Sequence, residues 1–161
     1  MTKGSVKIEF VEGQAITPRR AIAWLVGGDD LDAKSAFDNL DDDNSRFVRD
    51  SMKAWIDGTP DLRTRFHGFP NDTTFKDGYQ FNYREQGVHH RLYGFKMRPG
   101  IPDGRFDICA LAVHATKTNQ TPNWVKAVVS RLRDDEAIRT AITRQVREHF
   151  ASKLKKGWSN K

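Results

Sequence analysis

The sequence predicts an α+β domain: a small antiparallel-rich sheet, ordered β-helices-β-β-β-α, with helices packed on it. Three observations predict this class. An alternating β-branched segment opens the chain, an amphipathic helix lies in its first half, and three strand-like segments joined by short turns precede a helical C-terminal third. The length of 161 residues suits one ordinary core, so we expect a single domain over residues 1–161.

The first 26 residues are expected to hold a strand and a helix. VKIEFV (6–11) alternates apolar and polar residues and is rich in β-branched side chains, which is typical of a strand. Residues 14–26 are predicted to form a helix, because Pro18 suits a first helical turn and the pair Gly27-Gly28 suits a helix end.

An acidic stretch, residues 29–43, is predicted to be a connector with a turn of helix, and it completes an extended N-terminal segment of about residues 12–43. A clearer helix follows, with Asp41 to Asp43 at the positive end of its dipole and Gly58 and Pro60 after its end. Its apolar residues recur at spacings of three and four: Phe47, Val48, Met52, Trp55 and Ile56.

Three segments in quick succession predict an antiparallel meander: YQFNYRE (79–85), HRLYGFKMR (90–98) and RFDICALAVH (105–114). The links between them are short and carry turn residues, which is typical of neighbouring antiparallel strands. The third segment is the most apolar, so we expect it to be the central strand.

Two helices are predicted after the meander. Thr121 is expected to cap the first, with Pro122 in its first turn. The second, an extra basic helix over about residues 134–152, repeats apolar residues every four positions and carries arginines on its other faces. Those apolar residues are Ile138, Ile142, Val146 and Phe150, and the arginines are Arg139, Arg144 and Arg147.

Composition indicates a soluble cytoplasmic protein. Cys109 is the only cysteine, so no internal disulfide forms, and its apolar surroundings predict a buried thiol in a reducing compartment. The segment MTKGSVKIEF lacks the apolar stretch of a signal peptide, and the longest apolar runs are too short to cross a bilayer. We therefore expect no membrane association.

Charge is divided unevenly along the chain. Residues 1–82 carry a net charge of −3 and residues 83–161 a net charge of +9. This asymmetry favours a polyanionic partner for the second half, and nucleic acid is the usual one. The alternative is that the basic helices serve only solubility.

Basic residues recur along the predicted meander. Antiparallel strands bring alternating ends together, so we expect four of these side chains to converge over a shared concave surface of the sheet. The four candidate catalytic residues are Arg84, Arg91, His114 and Lys117, and the further candidate RNA-binding residues are Lys96, Arg98 and Arg131.

These residue types suit RNA cleavage by the 2′-hydroxyl of the substrate. Histidine can accept and return a proton near neutral pH, and fixed Arg and Lys groups stabilise charge on the phosphate. No metal or other cofactor is expected, because the histidines lack metal-ligand spacing and no phosphate-binding glycine loop is present. Alternatively, His114 is an ordinary half-buried side chain and Arg84 pairs with the adjacent Glu85.

The segment from Phe81 to Arg131 resembles the HigB branch of the RelE-like toxins, including phage-derived relatives. That family tends to read "lyElR", "yRvfyf", "lLhgFxKKtqktP" and "eixxAxxr" in order, where this chain has FNYRE, HRLYGF, LAVHATKTNQTP and NWVKAVVSR. The matching positions are Arg84, Arg91, His114, Lys117, Thr118, Thr121, Pro122, Ala127 and Arg131. Thr116-Lys117 stands where the family has two lysines.

The resemblance implies a RelE-like fold and a ribosome-dependent endoribonuclease that cuts mRNA in the decoding site. A cognate antitoxin, often with a helix-turn-helix, silences such a toxin. By the same resemblance, Arg84 and Arg91 contact the scissile phosphate or support the site, while His114 and Lys117 match the strand-end positions. The alternative is a non-catalytic member that binds RNA, the ribosome or, for a phage, a host protein; a DNA-binding protein or an unrelated enzyme also remains open.

Overall fold

The computed structural model describes residues 6–17, 19–28, 30–99, 106–116 and 120–155, with side chains up to Ser152. The predicted role of Pro18 therefore lies outside the described residues. In chain order the elements are β1 (Lys7–Phe10), β2 (Arg20–Val26), α1 (Ala33–Asp38), α2 (Asp42–Ile56), β3 (Phe66–Gly68), β4 (Gly78–Glu85), β5 (Val88–Met97), β6 (Asp107–Thr116), α3 (Asn123–Asp134) and α4 (Glu136–Lys155).

The strands form one six-stranded mixed sheet in the order β1-β2-β6-β5-β4-β3. β2 and β6 pair in parallel, and the remaining neighbours are antiparallel. The α+β class is thus confirmed. None of the described helices combines the length and apolar character needed to cross a membrane.

The helix predicted over residues 14–26 is wrong, because Arg20–Val26 forms β2. Ala21, Ala23 and Leu25 pack on one side of the sheet, and Ile22 and Trp24 on the other. A strand covered on both faces reads as a continuous apolar run, which sequence periodicity cannot distinguish from a buried helix. The predicted element order therefore lacked one long strand.

The acidic connector and the amphipathic helix are confirmed with small changes. The connector contains α1, a helix of six residues. α2 begins after Asp41, whose side chain accepts a hydrogen bond from the Asn44 backbone N–H at 2.8 Å, and Gly58 follows its end with φ +97°. The three-residue strand β3 was not predicted, since so short an edge strand has no measurable periodicity.

The antiparallel meander β4-β5-β6 is confirmed. Gln86 and Gly87 join β4 to β5 with φ angles of 51° and 80°, the left-handed conformation that tight hairpins require. β6 lies between β2 and β5, so the most apolar segment is central as predicted, and Cys109 within it is buried.

Both predicted C-terminal helices are present, but the cap of the first differs. The N-cap position of α3 is Pro122, with no side-chain cap hydrogen bond, so the predicted Thr121 cap is wrong. Val125, Val129 and Leu132 of α3 pack with Ile142 and Val146 of α4 on one face of the sheet. Helices α1 and α2 cover the opposite face, and the sheet is the middle layer of three.

A register shift interrupts the pairing of β5 with β6. Tyr93 lies opposite Val113, whereas the next residue, Gly94, lies opposite Leu111, so Ala112 is an extra residue in β6. Gly94 is required at this point. A Cβ there would lie 1.9 Å from the carbonyl oxygen of Ala110 and 2.7 Å from the Cα of Leu111.

We expect Gly94→Ala to destabilise the protein by at least about 2 kcal/mol, because the added methyl group meets rigid backbone. The measurement is the free energy of unfolding in urea. Gly68→Ala is the matched control, since a Cβ there meets Tyr79 at an ordinary 3.4 Å. Equal stability of the two variants would contradict the tight approach at the bulge.

Candidate functional site

Alternation along β4 and β5 places several polar side chains on the face that carries Tyr93. Asn82 lies opposite Arg91, and Arg84 opposite His89. Since directly opposed residues share a face of the sheet, these four side chains lie together, beyond the apolar residues that α3 covers. His67 of β3 joins this face because it pairs with Gln80 of β4.

Two depressions share Arg63: the larger opens on this face, and the smaller lies at the edge of the sheet, because Phe47 of α2 and Tyr83 also line it. One, of about 450 Å³, includes His67, Gln80 and Lys126 in its lining. The other, of about 310 Å³, is lined by a set that includes Asn82, Arg84, His89 and Arg91. We call them together the basic groove, defined by Arg63, His67, Arg84, His89 and Arg91.

Arg91 is the unusual member of the basic groove. It is only 7% exposed, one of its terminal nitrogens donates to the His90 carbonyl at 3.2 Å, and its Nε has no hydrogen-bond partner within the part of the chain that the structure describes. Among the described residues no carboxylate forms an ion pair with it. Burial lowers its pKa. An uncompensated buried cation is costly, so an anion entering the groove would be bound strongly.

Buried amides support the floor of the groove. The Gln80 side-chain nitrogen donates to the Asn82 side-chain oxygen, and the Asn82 amide nitrogen donates to the Arg63 carbonyl at 3.0 Å. Both residues are buried. This relay fixes the orientation of each amide and holds the Arg63 backbone against β4.

His67 has the protonation state of a proton acceptor. Its Nδ1 lies 2.8 Å from the Gly68 carbonyl; since a carbonyl only accepts, Nδ1 carries the hydrogen and Nε2 keeps its lone pair. Burial lowers the His67 pKa, and the charges of Arg63 and Arg91 lower it further, against the Gly68 carbonyl and Asp61, which raise it. The ring is therefore neutral at pH 7.

The expected convergence of His114 with Arg84 and Arg91 is wrong. His114 lies opposite Leu92, on the face covered by α1 and α2. Without the extra residue Ala112 it would lie opposite Arg91; the bulge moves every later side chain of β6 to the other face. There, His114 Nε2 lies 2.9 Å from His90 Nδ1, and its backbone N–H donates to Asp32 at 2.8 Å.

The other predicted residues are dispersed. Lys117 lies outside the described residues. Lys96 lies 4.9 Å from the Tyr79 ring centroid, Arg98 pairs with Asp107 at 2.8 Å, and Arg131 approaches Asp30 at 3.5 Å. Lys96 and Arg98 follow Arg91 by five and seven residues, roughly 17–23 Å at the rise of a strand, and they do not reach the basic groove.

Arg84 is exposed and lines the groove. Among the described ion pairs it makes none, so the alternative of a pair with Glu85 finds no support. The groove residues that sequence reasoning missed are Arg63, His67, Gln80, Asn82 and His89. One signal was present in the sequence: Gln80, Asn82 and Arg84 alternate with apolar residues in a predicted strand, which places the three polar side chains on one face.

Comparisons with protein-family models, curated proteins and solved structures found no match for this chain. Within the described segments, no group of three or more His, Cys, Asp or Glu side chains is arranged to hold a metal ion. The site is therefore defined by its own geometry: cations and imidazoles around an open groove.

We expect Arg63→Gln to raise the His67 pKa, because it removes a nearby positive charge that disfavours protonation. Asp61→Asn should change the His67 pKa in the opposite direction, since that carboxylate favours the charged ring. Histidine titration by NMR measures both. Shifts of the same sign in the two variants would contradict the described surroundings of His67.

Stability should decrease below about pH 6.5, the ordinary histidine pKa, because folding lowers the pKa of His67 and His114. Burial is the main cause of the lowered His114 pKa, and the neighbouring His90 lowers it further. The unfolded chain then binds protons more readily, so acid favours unfolding. Urea unfolding at about pH 7.5 and pH 5.5 should show a smaller difference in His114→Gln than in the wild type; an equal difference would contradict the assignment.

Proposed function

We propose that this protein is the toxin of a toxin–antitoxin system, a metal-independent and ribosome-dependent endoribonuclease that cuts mRNA. The observation that carries the proposal is the buried guanidinium of Arg91, which has no acidic partner among the described residues and lines the same groove as Arg84 and His89. The resemblance of residues 81–131 to HigB-type toxins supports the same activity.

The groove suits a phosphodiester. Arginine offers a planar set of donors that matches phosphate oxygens, and three arginines line the groove: Arg63, Arg84 and Arg91. Arg63 and Arg84 are exposed and can attract the polyanion, whereas Arg91 is buried and loses little solvation when the phosphate arrives. RNA affinity should therefore fall with rising salt.

His67, an imidazole of the groove, supplies the first proton transfer. His67 Nε2 takes the proton from the ribose 2′-hydroxyl, whose oxygen attacks the adjacent phosphorus. The arginines stabilise the negative charge of the pentavalent phosphate. The departing 5′-oxygen takes a proton from water in the open groove, so the products are a 2′,3′-cyclic phosphate and a 5′-hydroxyl. This assignment replaces His114, whose ring lies on the opposite face of the sheet from Arg91.

The partners follow from this chemistry and from the resemblance. The substrate is mRNA on the ribosome, the net positive second half of the chain suits a surface of ribosomal RNA, and the reaction takes place in the cytoplasm. A cognate antitoxin, of the helix-turn-helix type, would have to mask Arg91 and the open groove to silence the toxin.

Primer extension on a translated message, with purified protein and ribosomes, tests the proposal. We expect cuts only in ribosome-covered regions and a rate lowered by about 100-fold or more in His67→Gln and Arg91→Gln, typical of losing acid–base or phosphate-stabilising groups. His114→Gln is the matched control and should cleave like the wild type. Uncut message, or loss of cleavage only in His114→Gln, would contradict the proposal.

A non-catalytic RNA- or ribosome-binding module is the second candidate. The same unpaired Arg91 favours it, since a bound phosphate satisfies the buried charge whether or not the chain is cut. RNA binding that is lost in Arg91→Gln but unchanged in His67→Gln, with no cleavage by the wild type, would select this candidate.

A further inference from the structure

The larger depression of the basic groove contains a buried acceptor that the phosphate chemistry does not use. Gln80 is 2% exposed and lines the 450 Å³ cavity between β3, β4 and the start of α3. Its amide nitrogen is committed to Asn82, so its oxygen, Oε1, is the free end. No described group donates to this oxygen. Although Gln80 as a whole is buried, its oxygen is not among the fully buried side-chain atoms that lack a partner, so it reaches the cavity, where water or a ligand can donate to it.

The walls of this cavity suit a flat, partly polar ligand. The rings of His67 and Phe69 meet edge to face at 63° with centroids 5.2 Å apart, and both line the cavity on one side. Lys126, paired with Asp72 at 2.7 Å, gives a polar boundary on another. Aromatic surface for stacking beside a few fixed polar groups is the usual composition of a nucleobase site.

The cavity is also positioned so that one nucleotide could reach both it and the arginines. Arg63 lines both depressions, and the charges of Arg63 and Arg91 both act on His67. His67 lines the larger depression together with Arg63, so it is next to both the cavity and one of the phosphate-binding arginines. A nucleotide with its base in the cavity would present its ribose to His67 and its 3′-phosphate to Arg63 and Arg91.

We propose that this cavity is a nucleobase subsite that selects a base with an amino group, through a hydrogen bond to Gln80 Oε1. The inference rests on the proposed function, and it names Gln80 as the residue that decides which base the nuclease prefers. Adenine, cytosine and guanine each carry an amino donor, whereas uracil offers one N–H between two carbonyl oxygens that an acceptor repels. A site with a fixed acceptor penalises a ligand that lacks the matching donor.

Guanosine and inosine monophosphates are the sharpest probes, since their bases differ only by the amino group. We expect the full-length protein to bind the guanosine nucleotide about tenfold more tightly than the inosine nucleotide, the effect of one hydrogen bond. Gln80→Leu should remove the preference. His114→Gln should leave it unchanged. Calorimetry or NMR titration measures each affinity.

Equal affinity of the wild type for nucleotides that carry an amino group (adenosine, cytidine and guanosine monophosphates) and for those that lack it (inosine and uridine monophosphates) would overturn the subsite, whatever the behaviour of the Gln80 variant. The failure of the subsite and the failure of the proposed function are distinguishable. Cleavage on the ribosome without nucleotide discrimination rejects the subsite alone, whereas discrimination without any cleavage keeps the subsite and rejects the nuclease.

Discussion

Strand β5 lies between two helical layers, and the side chains along it must alternate between them. Tyr93 and Phe95 enter the layer of α3 and α4, while Leu92 enters the layer of α1 and α2. A shift of one residue would turn this apolar set toward the wrong partners. The alternation is therefore fixed by the core, and it determines where the polar residues at the beginning of the strand must point.

The bulge in β6 changes the face to which the later side chains of that strand point. Gly94 allows the Ala110 carbonyl to approach, Ala112 becomes the extra residue, and His114 is carried to the face opposite Arg91. The result is two separate polar groups at one end of the sheet. A hydrogen-bonded pair, His90 and His114, lies on one face, and the buried cation Arg91 lies on the other with an open groove before it.

Much of the fold could be predicted from the sequence where the signal was local. The meander had alternation and turn residues, and α2 had a full amphipathic stripe with a capping aspartate. The strand β2 could not be recognised, because its apolar character reflects burial by two layers and a parallel partner more than eighty residues later. Of the predicted site residues, Arg84 and Arg91 line the candidate groove, but the bulge in β6, which no sequence pattern signals, turns His114 to the opposite face.

The remaining site residues were missed for a related reason. His67 belongs to a three-residue edge strand, and its electrostatic environment is set by Arg63 and Arg91, one near in sequence and one distant. Gln80 was visible within a predicted strand, but its function as an acceptor depends on the orientation imposed by Asn82. Such properties arise from tertiary contacts, so residue type and spacing alone do not report them.

An anion-binding groove at Arg91 is the central feature of the proposed function. An NMR titration of the protein with a short 2′-O-methyl RNA, which binds but cannot be cleaved by 2′-hydroxyl attack, tests it without requiring activity. We predict that the Nε–H signal of Arg91 and the ring signals of His67 and His89 shift on binding, while those of His90 and His114 stay in place. Shifts at the His90–His114 pair with none at Arg91 would contradict the account.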